Sequence, residues 1–352
     1  MRFLLGLIIT LSLLTGLEAQ VAQRDDRHSN LIEGPLVIVS DEAQLAKTSI
    51  AANATDLLKA HNYRRLDTFS DELRSDRRTF SNGEWPIKFF FSGLCDLGDT
   101  ATNQEWEDRL QLLRDWFEQD ADSISAQIAM ARSLYNYGWK ARGSGWASTV
   151  TPEGRRLLEE RTTEARRILS AAESIQHHCP IFFSTRLKIA LTDGTPREVY
   201  DQLFKEALKA FPNYSPFYMV RALHLLPRWH GKSGEWERFA LESADHVGGE
   251  EGDILYAQII WNMHDTRVYG NICKEAAVEW PRAQRGFEAL CRRYPNSTAA
   301  VSEYCSISGF APTGARELMR SLFARVGNRV DLSVWETKEK YLRDRAWAFS
   351  NQ

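Results

Sequence analysis

The sequence predicts an all-α protein, an α-solenoid in which helical hairpins stack on one another. Three observations lead to this fold class. Apolar residues recur at helical spacing in nearly every segment after residue 40, Pro and Gly interrupt these segments at regular intervals, and two of the interruptions share a sequence pattern. No segment of residues 41–352 shows the alternation of a half-buried strand.

The apolar spacing defines the individual helices. Residues 103–117 place Trp106, Leu110, Leu113 and Phe117 four, three and four positions apart, which forms one stripe along a helix. Residues 123–139 repeat the pattern. A further helix begins at Pro152, because Thr151 is a good N-cap and proline is tolerated in the first turn. We expect about fourteen helical segments of this kind.

The breaks between helices are periodic. Pro180 and Pro212, interpreted as ends of helices, are 32 residues apart, and Gly248-Gly249 follows 36 and 37 residues after Pro212. Residues 206–213 and 288–296 both run from Ala-Leu through an aromatic residue to Pro-Asn. These two endings resemble those of tetratricopeptide units, helical hairpins of about 34 residues that bury their apolar faces only by stacking.

Three further stretches resemble a family of uncharacterised bacterial proteins that carry a domain of unknown function. In that family the stretches occur in this order within a helical-repeat chain. The resemblance implies the same fold over roughly residues 40–335 and brings no established activity. The stretches are Trp139 to Gly145, Leu225 to Gly231, and Tyr304-Cys305 followed by Ala315-Arg316.

The first nineteen residues have the pattern of a signal peptide. Arg2 precedes an apolar run of fifteen residues, Phe3 to Leu17, and Ala19 occupies the position before a cleavage site. The run is shorter than the ~20 residues that span a bilayer comfortably. A retained N-terminal anchor is the alternative. Cleavage predicts an exported protein, periplasmic or secreted, with no membrane span after the signal is removed.

The remaining chain is expected to form a linker and one domain. Residues 20–40 are interpreted as a linker with a short extended run at 35–39, and residues 41–352 as a single helical-repeat domain. The near-neutral balance of 44 Lys and Arg against 47 Asp and Glu argues against a nucleic-acid partner.

Export affects the interpretation of the five cysteines, because disulfides persist in oxidising compartments. The odd number leaves at least one thiol outside any bridge within the chain. Cys273, Cys291 and Cys305 fall within 33 residues, so a disulfide among these three is the favoured pairing. Packing of all of them as small apolar side chains remains the alternative.

The loop after residue 139 is the first candidate binding site. Gly143, Ser144 and Gly145 could expose backbone N–H groups to an anion beside Arg142. The loop lacks the Gly-Lys-Ser/Thr ending of a phosphate loop, and no strand precedes it. A connection between helices is therefore favoured over an anion site.

The segment LLPRWHGKSGEWERFA, residues 225–240, is the second candidate. Pro227 and the glycines predict a corner between two helices, in which Trp229 and Trp236 pack on each other or clamp the corner, and Arg228 could cap the preceding helix. Arg228, Trp229, His230 and Trp236 could also clamp a sugar or a carboxylate. The structural corner is favoured, and ligand contact stays open.

No metal or cofactor is expected. His177, His178 and Cys179 are consecutive, so they point in different directions on a helix, and His224, His230, His246 and His264 lack the i, i+4 pairing of a helical zinc site. The tryptophans at 229, 236, 261 and 280 could line a sugar groove, but their spacing favours core packing.

The leading functional hypothesis is an exported scaffold that binds a protein or peptide partner, with no catalysis expected. The alternative is a cell-envelope glycan-binding protein or enzyme that uses the Arg142 loop and the Arg228/Trp229 corner.

Overall fold

The computed structural model describes residues 35–80, 83–98, 100–145, 147–171 and 179–350. These residues separate into two compact units. The larger comprises residues 42–296, and the smaller combines the residues up to Asp41 with residues 297–352. The predicted signal peptide, 1–19, and most of the predicted linker, 20–34, lie outside the described residues. That residues 41–352 act as one domain stays a prediction.

The larger unit contains thirteen helices in its described part. They are α1 (Glu42–Lys59), α2 (Tyr63–Ser75), α3 (Pro86–Cys95), α4 (Asn103–Gln119), α5 (Ile124–Arg142), α6 (Pro152–Ala171), α7 (Pro180–Thr192), α8 (Arg197–Ala210), α9 (Pro216–His224), α10 (Glu235–Val247), α11 (Gly249–Asp265), α12 (Ile272–Glu275) and α13 (Trp280–Arg293). The helices predicted at 103–117 and 123–139 are confirmed as α4 and α5.

Local sequence sets where these helices begin. The Thr102 hydroxyl and the Glu105 carboxylate form a capping box at α4, and the Ser123 hydroxyl accepts a bond from the Ala126 N–H at α5. Proline is the first residue of α3, α6, α7 and α9. Pro180 was predicted to end a helix and instead begins α7, where its missing N–H costs no helical hydrogen bond.

The odd-numbered helices form a continuous row. Each packs on the next, from α1 on α3 to α11 on α13, while α4, α6, α8 and α10 pack alongside them as a second layer. From α7 onward the odd helices begin 36, 33 and 31 residues apart, at Pro180, Pro216, Gly249 and Trp280. The chain therefore has the predicted all-α, helical-repeat fold.

Close backbone contact along the row depends on small residues. A Cβ placed on Gly286 of α13 would lie 2.0 Å from the carbonyl oxygen of Asp253 in α11, so only glycine allows this approach. Large aromatic side chains fill the space between the layers elsewhere. Fully buried examples are Phe90, Phe91, Phe182, Phe183, Tyr214 and Trp236.

The smaller unit contains four helices and two short strands. They are β1 (Val37–Val39), α14 (Thr298–Ser308), α15 (Ala315–Val326), β2 (Arg329–Asp331), α16 (Leu332–Trp335) and α17 (Lys338–Phe349). The strands pair in parallel, with Val37 opposite Arg329 and Val39 opposite Asp331. The prediction of no strand after residue 41 was wrong at β2, because three residues are too few to show alternation.

Three aromatic rings form the core of the smaller unit. The ring centroids of Phe323, Trp335 and Tyr341 lie 5.3–5.5 Å apart, and all three side chains are buried. Aromatic pairs at these separations are stabilising beyond the area that they bury. Among the helices of the described residues, none combines the length and the apolar character needed to cross a membrane.

Candidate functional site

A cleft of about 520 Å³ opens where α3 and α5 end beside α4. Its walls combine aromatic rings, an amide, a carboxylate and an ammonium group. The lining residues are Asp96, Leu97, Gly98, Trp106, Asn136, Trp139, Lys140, Gly143 and Ser144. Two members of the predicted loop, Gly143 and Ser144, therefore line the cleft.

Trp106 of α4 is the most deeply set residue of the cleft. It is only 3% exposed and stacks on Tyr137, with ring centroids 5.3 Å apart. Its Nε1–H is buried and has no acceptor among the described residues. An unpaired buried donor costs about 1–3 kcal/mol, so this group gains free energy when a ligand supplies an acceptor.

Asp96, directly after α3, holds the next group of polar contacts. Its carboxylate accepts a bond from Asn136 Nδ2 at 2.5 Å and pairs with Arg132 Nη2 at 3.1 Å. Asn136 also donates to the carbonyl oxygen of Cys95 at 3.0 Å. Asp96 thus anchors two side chains of α5 at the end of α3.

A second carboxylate, Glu84, precedes α3. Burial opposes its ionisation, but ion pairs with Lys88 and Lys47 lower the pKa of Glu84 to about 2. Lys88 Nζ lies 2.5 Å from Glu84 Oε1. The ammonium group of Lys88 is therefore compensated by a carboxylate.

Lys188 lies on α7, which packs on both α3 and α5, and its charge has no such compensation. Its ammonium group makes no hydrogen bond or ion pair with the described residues, and its side chain is half-buried. Burial, together with the charges of Arg132 and Lys88, lowers the pKa of Lys188 to about 8, against the opposing charge of Asp96. Lys188 is thus a cation close to two other cations.

Arg142 of the predicted loop is engaged within the loop itself. Its Nη1 donates to the carbonyl oxygens of Gly143 and Gly145, each at 2.9 Å, and its guanidinium lies 5.0 Å from the centre of the Trp139 ring. These contacts favour the connection between helices, with Arg142 closing the loop.

The second predicted stretch forms a corner between α9 and α10. The N–H groups of Trp229 and Gly231 both donate to the carbonyl oxygen of Leu226. A Cβ on Gly231 would lie 1.8 Å from the carbonyl oxygen of Leu225, so the turn requires glycine. Pro227 lies within the turn, three residues after the last residue of α9.

Of the two arrangements predicted for the tryptophans of this corner, packing of one ring on the other is not formed. Trp229 packs edge-on against Trp139, with centroids 5.9 Å apart. Trp236 is fully buried and donates from Nε1 to the Tyr269 hydroxyl at 2.8 Å. Trp236 is the second residue of α10 and faces the core, whereas Trp229 lies in the corner itself.

Arg228 and His230 point in different directions. His230 Nε2 lies 2.7 Å from the carbonyl oxygen of Leu191 and so carries the proton of that bond. Arg228 is exposed and bonds none of the described residues, so the predicted cap on the preceding helix is not formed. The corner therefore uses His230 to hold α7 and leaves Arg228 towards solvent.

A buried histidine lies next to the corner. His224 Nδ1 accepts from Arg221 Nη1 at 3.1 Å, while the ring lies 3.8 Å from that of Tyr200 and 4.8 Å from that of His230. Its Nε2 has no partner among the described residues. Burial, then the charge of Arg221, lowers the pKa of His224 to about 3, so the ring is neutral at pH 7.

Ring contacts therefore join the two predicted stretches through Trp139 and Trp229, yet the stretches do not share the cleft. Arg142, Arg228, Trp229 and Trp236 are absent from its lining. Glu235, which the glycan hypothesis would also require, pairs with Arg197 at 2.5 Å.

The sequence-based prediction missed the charged residues beside the cleft. Arg132 is the one charged residue of the stretch IAMARSL, and Lys188 lies with Arg186 in the mainly apolar stretch FFSTRLKIAL. A charge at such a position is rarely tolerated without a partner or a role, and this signal could have identified both residues.

No disulfide forms among the described residues, which include all five cysteines, so the predicted bridge among Cys273, Cys291 and Cys305 is absent from this structure. Burial raises the pKa of Cys273 to about 11 and that of Cys305 further. Because the thiolate is the reactive form, burial disfavours oxidation. His177 and His178 lie outside the described residues, and the rest contain no group of His, Cys, Asp and Glu that could hold a metal ion.

Comparison with known proteins supports an uncharacterised domain. Residues 51–196 match the family model described as domain of unknown function (DUF4034). The match includes the Arg142 loop and the cleft but ends before the corner at 225–231. No curated protein and no solved structure matches the chain.

Proposed function

We propose that this protein is an exported, tetratricopeptide-like scaffold that binds a protein or peptide segment in the cleft between α3, α4 and α5. Rows of stacked helices present extended surfaces that suit polypeptide partners. The repeated packing of odd-numbered helices supports this class of function, and the cleft supports this location.

One observation carries the proposal: the Trp106 Nε1–H is buried, lines the cleft and has no acceptor among the described residues. Lys140, on the same wall, also makes no hydrogen bond or ion pair within the described part of the chain. An extended polypeptide offers a carbonyl acceptor at every residue, so it can satisfy both donors at once.

The aromatic rings favour a polypeptide over a sugar. Trp139 already contacts Arg142 and Trp229, and Trp106 already stacks on Tyr137. A sugar clamp needs a ring face that is open to the ligand. The existing contacts of Trp106 and Trp139 therefore weaken the case for a sugar site in this cleft.

Export is part of the proposal and rests on the signal-peptide pattern of residues 1–19. It places the protein in the periplasm or outside the cell. Mass spectrometry of the protein from an envelope fraction should find a chain that begins at Gln20. An intact N-terminus at Met1 would overturn this part of the proposal.

Photo-crosslinking tests the binding function. A photoreactive residue replacing Lys140 should capture a polypeptide in the cell envelope, whereas the same residue replacing Glu159, exposed on α6, should not. Trp106→Phe, which keeps a ring but removes the N–H, should reduce capture several-fold, while Arg228→Ala should leave it unchanged. Equal capture from both positions, or none from Lys140, would contradict the proposal.

A further inference from the structure

A second cavity, of about 460 Å³, lies beside α11 in the larger unit, and residues of α9 and α13 contribute to its walls. Its lining and that of the Trp106 cleft have no described residue in common. We call this cavity the α11 groove. Its principal lining residues are Tyr218, Ile254, Leu255, Gln258, Leu290 and Tyr294.

The two tetratricopeptide-like endings of the sequence both contribute to the α11 groove. Pro212 and Asn213, directly after α8, belong to the first ending, and Tyr294, directly after α13, belongs to the second. Pro212 and Tyr294 are 82 residues apart in the sequence. The stacking of the hairpins therefore brings the shared pattern of two endings to one cavity.

The floor of the α11 groove is apolar and carries no net charge. Ile254, Leu255 and Leu290 line it, and each is at most 7% exposed. The charged residues of the described lining are Glu251 and Arg293, whose Oε1 and Nη2 lie 2.5 Å apart. A charged ligand would lose hydration here without meeting an uncompensated charge of opposite sign, so the groove favours an uncharged ligand.

Three polar side chains of the α11 groove are uncommitted. The hydroxyls of Tyr218 and Tyr294 and the amide of Gln258 make no hydrogen bond with the described residues. A Cβ placed on Gly83 would lie 3.4 Å from Tyr294 Oη and 3.8 Å from Gln258 Nε2. These two polar groups therefore converge on one point, and glycine leaves the space at that point open.

The uncommitted groups supply both donors and an acceptor. The Tyr218 ring packs on Phe204, with centroids 5.6 Å apart, and burial raises the pKa of Tyr218, so its hydroxyl stays protonated at pH 7 and can donate. The Gln258 amide offers donors and an acceptor in one plane. A peptide group has one donor and one acceptor and matches this amide.

We propose that the α11 groove binds an uncharged, extended polypeptide segment, with an apolar side chain on the groove floor and a backbone peptide group on Gln258. The hydroxyls of Tyr218 and Tyr294 donate to carbonyl oxygens of the same segment. The segment must be extended, because the peptide groups of a helix already bond one another. This site is separate from the Trp106 cleft and goes beyond the proposed function.

Other uncharged ligands fit the α11 groove less well. An acyl chain would cover the apolar floor but leave the three polar groups without partners. A sugar would place hydroxyl groups against Ile254, Leu255 and Leu290, which offer no hydrogen bond. A polypeptide segment satisfies the floor and the polar groups together.

Fluorine nuclear magnetic resonance of the full chain labelled with fluorotyrosine tests the proposal. The probe is the peptide Ala-Leu-Ala, acetylated and amidated so that it carries no charge. Tyr218→Phe, Tyr294→Phe and Tyr200→Phe identify three signals by their absence. We expect the peptide to shift the signals of Tyr218 and Tyr294 with one dissociation constant, while Tyr200, buried on α8 outside the groove, stays unchanged. No shift of the two groove signals at millimolar peptide would overturn the proposal.

Modified probes test the chemistry of the ligand. Replacing each internal N–H of the peptide in turn by an ester oxygen keeps the shape and removes one donor. At least one replacement should weaken binding fivefold or more, and so should exchange of the leucine for glutamate or lysine. Equal binding of all the esters would contradict the backbone contact, and tighter binding of octanol than of the peptide would assign an acyl ligand instead.

The Gln258→Leu variant tests the residue that holds the peptide group. Its affinity for the peptide should fall at least fivefold, and the ester that weakens binding should cost nothing further in this variant. Gln284→Leu is the matched control, because Gln284 is also half-buried but lies outside the groove lining. Unchanged affinity in Gln258→Leu would overturn the assignment. The Tyr200 signal reports whether the variant is folded, and the esters test the same contact in the unchanged protein.

The outcome is distinguishable from that of the proposed function. Trp106→Phe should leave the affinity of the peptide for the α11 groove unchanged, because Trp106 is not part of its lining. If Lys140 captures a polypeptide but the peptide shifts neither Tyr218 nor Tyr294, the cleft function stands and the α11 groove fails. Loss of peptide binding in a folded Trp106→Phe variant would place the peptide in the cleft and overturn the second site.

Discussion

Two groups of basic side chains lie on the row of odd-numbered helices, and they differ in how their charges are balanced. On α13, all four arginines between Arg282 and Arg293 pair with carboxylates of α10 and α11. By contrast, Lys188 of α7 has no carboxylate of the described residues within ion-pair distance. A high density of charge therefore holds helices together in the first group, whereas the second leaves one half-buried ammonium group without a carboxylate partner among the described residues.

Removing a charge should change the stability of the fold in opposite directions in the two groups. In the α13 group, each arginine stabilises the fold only while its carboxylate is present. Around Asp96, the burial of Lys188 opposes folding, because no carboxylate of the described residues pairs with it.

Asp253→Asn should have the largest effect on the folded protein. Asp253 is 17% exposed at its side chain and accepts from Arg282 at 3.0 Å and Arg285 at 2.7 Å. The change leaves Arg285 without a counter-charge and Arg282 with only the exposed Asp245, so it should lower the free energy of unfolding by about 2 kcal/mol. Denaturation in urea measures it.

Asp245→Asn is the matched control, because Asp245 pairs with the same Arg282 but is 70% exposed. We expect less than half the loss seen for Asp253→Asn, since solvent screens an exposed pair. Equal losses in the two variants would show that solvent exposure does not decide how much each ion pair of Arg282 stabilises the fold.

Lys188→Met should have a smaller effect of opposite sign. Methionine keeps the apolar stem and removes the penalised charge, so the free energy of unfolding at pH 7 should rise by about 1 kcal/mol, a value discounted for the partial exposure of the side chain. Lys205→Met, at an exposed position of α8, should change little. A loss of stability in Lys188→Met would mean that Lys188 has a partner after all.

The effect of Lys188→Met on the free energy of unfolding should also depend on pH. The pKa of Lys188 is about 8 in the folded protein and about 10.4 in an unfolded chain, so between these values the unfolded state binds the extra proton. The destabilisation by Lys188 is therefore absent above pH 10.4, grows as the pH falls from 10.4 to 8, and is fully present below 8. The difference between Lys188→Met and the unchanged protein should vanish by about pH 10.5, and a difference that stays constant from pH 7 would contradict the assigned pKa.

The sequence predicts the fold better than the site for a physical reason. Apolar spacing is local, so residues 103–117 identify α4 almost to its ends. The contact of Trp229 with Trp139 joins residues that are 90 positions apart, and no local pattern reports it. Likewise, the sequence shows that Lys188 interrupts an apolar helix, but the absence of a nearby carboxylate depends on how α3, α5 and α7 pack.

Arg292→Gln should have the smallest effect of these variants on the stability of the fold. The Arg292 side chain is 63% exposed, and its partner Glu250 is 51% exposed and also pairs with Arg293. Exposed ion pairs gain little in water, and Arg293 remains to compensate the carboxylate, so the melting temperature should move by less than about 1 °C. Thermal unfolding at low and high salt measures it. A fall of several degrees at low salt that disappears at high salt would show that the exposed arginines act as a network. The stabilisation by the α13 arginines would then depend on their total charge as well as on the buried pair.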